Sequence, residues 1–264
     1  MIGDLAKAIR QRSVILFVGA GVSNCLGLPN WRQLIDHLAS ELGYDPEIFA
    51  THGDHLLLSE FFQLERGSIG PLRSWLDKAW HAGVDISKSE PHRLIVDLDF
   101  PLIYTTNYDN WLEEAYTFYK RSYSKVINVG DLVGLRADAT QIVKFHGDFS
   151  DDDSIVLTES SYFDRLDFES PLDVKLRADL LGRSVLFIGY SLQDINIRYM
   201  LHKLHKQWSA TAFNSLRPKS FVFLTRPNAV QERVLQSRGI HAIVSDDDEP
   251  KTGLVRFLNS LLNA

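Results

Sequence analysis

The hydrophobic positions of this chain fall into two alternating kinds of segment. The first is a short continuous apolar run. SVILFV (Ser13–Val18) is the clearest, and the pattern recurs in PLIYTTN from Pro101, QIVKFHG from Gln141, SVLFIGYS from Ser184, SFVFLTRP from Ser220 and HAIVS from His241. Runs of this length fit strands buried on both faces of a parallel sheet. The second kind carries apolar residues at helical spacing, as in WRQLIDHLASEL from Trp31 and DINIRYMLHKLHKQW from Asp194. Strands alternating with helices predict an α/β fold, a parallel sheet with helices on both faces. The interval from about Gly43 to Ser89 breaks the alternation. HLLLSEFFQL and PLRSWLDKAW are helical in pattern, and no strong strand accompanies them. The expected organisation is a core of residues 1–42 and 90–264 with a small helical insert over 43–89.

Composition narrows the class. With 45% hydrophobic residues in 264, the chain has enough apolar mass for one large α/β domain, and 23% charged residues give no sign of disorder. The net charge of −6 argues against broad nucleic-acid binding, so no direct nucleic-acid partner is expected. The lone Cys25 can form neither an internal disulfide nor a multi-cysteine zinc site, and it fits a reducing compartment. MIGDLAKAIRQRS at the start reads as a short amphipathic helix without a secretion signature. No apolar stretch reaches the ~18 residues of a membrane span. The expected location is therefore the cytoplasm. The acidic runs Asp151–Asp153 and Asp246–Glu249 read as solvated loops, and the pairs His52/His55 and His202/His205 as surface histidines.

Candidate chemistry lies where the strands end, because open parallel sheets bind ligands outside their carboxyl edges. The first strand ends in Gly19-Ala20-Gly21-Val22-Ser23, the second in Thr105-Thr106-Asn107-Tyr108-Asp109. Later ones end in His146-Gly147, Gly189-Tyr190-Ser191 and Thr225, so polar or glycine residues converge on one crevice. The two glycines of GAGVS let backbone approach a pyrophosphate at a helix N-terminus, or simply make a tight strand-to-helix turn. Asn24 stands where GxGxxG has its third glycine, and Glu41, the acidic residue at about the right spacing, falls on a helix. Both points speak against a hydride-transferring dehydrogenase. His146 can accept a proton near neutral pH or merely cap backbone groups. Asn107 could orient a hydroxyl or a water, or be a turn residue. Asp109 is a charge at the same strand end, or the N-cap of NWLEEAYTFYK.

Taken together these segments resemble the sirtuin family. GAGVSNCLGLPNWRQL (Gly19–Leu34) looks like its NAD-binding signature, TTNYD (Thr105–Asp109) like its TQNxD, KFHG (Lys144–Gly147) like the segment of its catalytic histidine, and GYS (Gly189–Ser191) like its GTS. The resemblance implies a Rossmann-like NAD-binding core. It places Gly19, Ala20, Gly21 and Ser23 along the pyrophosphate and nicotinamide-side loop. Trp31 stands at a mobile phenylalanine that covers the nicotinamide, and Arg32 at the loop arginine. Asn107 matches the asparagine beside the nicotinamide ribose, Asp109 the aspartate that recognises the carboxamide, and His146 the general base. Gly189 and Ser191 match adenosine-side contacts, with Thr225 near the adenine ribose.

The departures redirect the implied activity. The four zinc-binding cysteines that follow the histidine in zinc-containing sirtuins are missing, and no VxFGE-like peptide clamp precedes GYS. Asn30 replaces the loop aspartate and Thr106 the glutamine of TQN. TTNYD, HGD…VLTESSYF and GYSLQDxNIR instead look like the zinc-free sirtuin-like domains of bacterial anti-phage systems. The implied function is an NAD+ glycohydrolase that releases nicotinamide and ADP-ribose, with catalytic His146 and Asn107, NAD+ as substrate and no metal. The competing functions are a non-catalytic NAD- or nucleotide-binding module and an NAD-dependent protein deacylase. Control by homo-oligomerisation is expected, or by a partner such as a HerA-like ATPase or an Argonaute-like protein.

Overall fold

The computed structural model describes residues 1–28, 31–81, 83–167, 169–190 and 194–264. Among the described residues seven strands form one sheet: β1 (Val14–Val18), β2 (Leu102–Thr105), β3 (Tyr123–Val126), β4 (Thr140–Lys144), β5 (Ser184–Ile188), β6 (Ser220–Leu224) and β7 (Ile240–Val244). Their order across the sheet is β3-β4-β2-β1-β5-β6-β7, and every pair is parallel. The helices are α1 (Ile2–Arg10), α2 (Ala20–Ser23), α3 (Trp31–Leu42), α4 (Pro46–Phe49), α5 (His55–Arg66), α6 (Gly70–His81) and α7 (Glu90–Asp97). They continue as α8 (Trp111–Phe118), α9 (Glu159–Asp164), α10 (Pro171–Gly182), α11 (Ile195–Ser209), α12 (Ala229–Ser237) and α13 (Pro250–Asn263).

Alternation along β1 explains why its sequence is apolar throughout. Val14, Leu16 and Val18 enter one core with Leu5, Leu94, Leu112 and Leu258. Ile15 and Phe17 enter the opposite core with Leu176, Ile197, Met200 and Leu235. A strand covered on both faces has no position for a polar residue, and each fully buried Val, Leu or Phe contributes about 1.5–3 kcal/mol. The edge strand β3 escaped the sequence reading. Tyr123, Ser124 and Lys125 are only half-buried there, so no continuous apolar run marks it.

A third core joins α3 to α4–α6 through Leu34, Leu38, Phe49, Phe62, Leu72 and Leu76. It also takes in Leu28, Trp111 and Leu157, which follow the carboxyl ends of β1, β2 and β4. This helical layer therefore stands at the edge of the sheet where the strand-end motifs emerge. The acidic runs are mostly exposed, as expected of solvated loops, and carry a few specific contacts. Asp152 pairs with Arg73 at 2.9 Å, Asp247 with Arg256 at 2.7 Å, and Glu249 caps α13. Among the described residues no helix is long and apolar enough to cross a membrane.

Candidate functional site

The sheet changes direction at β1: β2 lies on one side of it and β5 on the other. A crevice at such a reversal is where doubly wound sheets hold ligands. Here the backbones after β1 and β5 touch. Gly19 N donates to Ile188 O at 3.0 Å and Gly21 N to Gly189 O at 2.8 Å. A Cβ on Gly19 would fall 2.4 Å from Gly189 O, and one on Gly189, whose φ is +60°, would fall 2.6 Å from Val22 N. The glycines thus have a packing reason of their own, since only bare backbone fits this contact. Ala20 is exposed beside them, at the start of α2.

Strand register brings the polar residues together. Thr105 at the end of β2 pairs with Lys144 at the end of β4, so Asn107 and His146 each lie two residues beyond adjacent strand ends. Thr105 Oγ1 donates to Val18 O and accepts from Asn107 N, both at 3.0 Å, which ties the turn to β1. The Asn107 amide then donates to Ser23 Oγ at 3.0 Å. Ser23, Asn107, Asp109 and His146 are all buried.

His146 is 2% exposed. Burial pulls its pKa down to about 4, against the opposing field of Asp194. The ring is therefore neutral at physiological pH. Its Nε2 lies 3.4 Å from Asp194 Oδ2, and its Nδ1 lies 3.4 Å from Tyr162 Oη. Neither partner was foreseen from sequence. Tyr162 is carried by α9, which opens with a capping box between Thr158 and Ser161. Asp194 is the N-cap of α11: its Oδ1 accepts from Asn196 N and Ile197 N, which leaves Oδ2 for the histidine. An aspartate before a helical pattern signals a cap. Nothing in its spacing from His146 signals that the two meet.

Behind the site lies a buried charge network. Lys144 is fully buried. Its Nζ donates to the Asp109 carbonyl and lies 3.4 Å from Glu113 and 3.6 Å from Asp148. These carboxylates hold the ammonium charged despite its burial. The Asp109 carboxylate accepts from Trp111 N at 3.2 Å, but the N-cap position of α8 is Asn110 and not Asp109.

Other expected residues make contacts of their own. The Trp31 ring lies against His55 at 4.4 Å between centroids, so a histidine read as a surface residue packs beside the start of α3. Arg32 is engaged along its own helix with Asp36 at 2.8 Å. Thr225 is half-buried after β6, two strands away from β1. Ser191 and Asn30 lie outside the described residues.

Comparison with known proteins accords with this geometry. The SIR2-like domain family matches residues 101–243, more than half of the chain. The "NAD(+) hydrolase ThsA" of Enterococcus faecium is 31% identical over 210 residues, covering 76% of this chain and 42% of that protein. That of Cytobacillus dafuensis is 28% identical over 205 residues, covering 77% and 40%. "Defense-associated sirtuin 2" of Bacillus subtilis is 27% identical over 253 residues, covering 92% and 24%. The chain thus spans under half the length of these relatives. A family match over β2 to β7, on a parallel sheet with Asn107 and His146 at neighbouring strand ends, gives one conclusion: the chain belongs to the SIR2-like domain family.

Proposed function

We propose that this domain hydrolyses NAD+ at the nicotinamide–ribose bond, releasing nicotinamide and ADP-ribose. The observation that carries the reading is the pairing of Asn107 and neutral His146 beyond two adjacent strand ends, with Asn107 held by Ser23 of the glycine loop. The names of the relatives point the same way.

Cleavage of this bond builds positive oxocarbenium character on the ribose, as in other glycosidic cleavages. Asn107 positions the ribose and the attacking water, which lowers the entropic cost of bringing them together. His146 accepts a proton from that water or from a ribose hydroxyl. The charge that forms on the ring faces the Asp194 carboxylate 3.4 Å away, which offsets the cost of an imidazolium in a buried position. Asp109 and the loop before α3, with Trp31 at its end, hold the nicotinamide. Gly19, Ala20, Gly21 and Ser23 line the pyrophosphate, and Gly189, Ser191 and Thr225 the adenosine side, with Arg32 at the loop mouth. Nicotinamide already leaves from a cationic ring, so no metal is assigned to the step. Defence by NAD+ depletion, in the cytoplasm and under control of self-association or a partner protein, completes the reading.

The test incubates the 264-residue chain with NAD+, with and without an acylated peptide, and resolves the products beside His146→Ala and Asn107→Ala. Nicotinamide and ADP-ribose formed without peptide, and lost in both variants, support the proposal. Turnover only with peptide, or full activity in either variant, overturns it.

A further inference from the structure

We propose that Asn196 is a substrate-binding residue whose carboxamide takes the vicinal ribose hydroxyls of the ADP-ribose half of NAD+; the assignment rests on the NAD+ reading above. Asn196 is the second residue of α11, which follows the carboxyl end of β5. Its side chain is fully buried, yet among the described residues neither its Oδ1 nor its Nδ2 has a hydrogen-bond partner. The helix cap accounts for the backbone only: Asn196 N donates to Asp194 Oδ1 at 2.9 Å. Buried amides in folded proteins are almost always paired, because a lost partner leaves the full desolvation penalty.

Asp194, two residues before Asn196, also faces the site through His146. His146 Nε2 is another buried atom without a hydrogen bond among the described residues, 3.4 Å from Asp194 Oδ2. The Asp194 carboxylate therefore takes the Asn196 backbone N–H on Oδ1 and faces the His146 ring with Oδ2, which brings the segment after β4 to the start of α11, after β5. The proposed chemistry lies at the ends of β2 and β4, and β5 lies across β1 from them. In the proposed pose the part of the dinucleotide that is not cleaved runs toward β5. A carboxamide offers a donor and an acceptor side by side, and each hydroxyl of a ribose diol can both give and take a hydrogen bond. The match is chemical as well as positional. A nearby apolar side chain would be the better choice for stability alone, and keeping an unpaired amide there costs the fold unless a ligand uses it.

Asn196→Leu separates the two roles, since it keeps the size and removes the amide. The full chain and the variant are compared by thermal unfolding and by calorimetric titration with ADP-ribose, which is not consumed. The expected result is a melting temperature raised by about 3 °C together with ADP-ribose affinity weakened about tenfold or more. A fall in melting temperature shows that the amide has a structural partner and overturns the assignment. A rise with unchanged affinity overturns it as well. Failure of the unmutated chain to bind either ADP-ribose or NAD+ is a different result, which removes the NAD+ reading itself.

Discussion

Asn107 gives its side-chain N–H to Ser23 Oγ at 3.0 Å, across 84 residues of sequence. With the nitrogen so used, Oδ1 is the atom left to accept from a ribose hydroxyl or a water. The pair thus orients the amide before substrate arrives. Asn107→Ala should lower kcat about 100- to 10,000-fold, and Ser23→Ala about tenfold, since the latter leaves the amide present but unaligned. Steady-state nicotinamide release measures both. Equal losses would show that Ser23 does more than align.

His146 sets the pH dependence of the reaction. Burial keeps its pKa near 4, so the base is already neutral across the physiological range. The expected kcat/KM profile is flat from about pH 6 to 8 and falls toward about pH 4 as the ring takes up its proton. An acid limb centred at the ordinary histidine value of about 6.5 would contradict the buried site.

Stability should follow pH for the same reason. His146 and His92 both have native pKa values lowered by burial to about 4, below their unfolded value of 6.5. Between those values the unfolded chain binds more protons, so stability is fully present above about pH 6.5 and is lost as pH falls toward 4. Each ring accounts for up to about 3 kcal/mol. Denaturant melts at pH 7 and pH 4.5 measure the sum, and His92→Gln should remove about half of the difference.

Lys144 is the cation of a buried group, with Glu113 at 3.4 Å and Asp148 at 3.6 Å. Lys144→Met leaves Glu113 without the counter-charge beside it, while Asp148 keeps Lys125 at 3.3 Å, and should cost about 3–5 kcal/mol. Adding Glu113→Gln should recover part of that loss, because a neutral amide tolerates burial better. Chemical denaturation of the single and double variants checks this. No recovery would mean that Asp148 alone carries the coupling.

Gly189 sits at φ +60° with Val22 N 2.6 Å from where its Cβ would be. Gly189→Ala should separate the loops after β1 and β5, at a cost of about 2 kcal/mol or more. NAD+ turnover should fall with it, measured well below the melting temperature.

Local patterning determined much of this protein by itself. Continuous apolar runs marked six of the strands; five of them, β1, β2, β4, β5 and β6, are buried along nearly their whole length, where a strand covered on both faces has no room for polar residues. The parallel alternation then placed Gly19, Asn107, His146 and Gly189 at one edge of the sheet. Strand β3 was not legible, because a half-exposed edge carries a mixed pattern. Other relationships existed only in three dimensions. The meeting of Asp194 and Tyr162 with His146, of Asn107 with Ser23 and of Lys144 with Glu113 depends on strand register and on where each helix packs. Periodicity reports which face of an element is buried; which side chains then meet is set by long-range packing that no local spacing encodes.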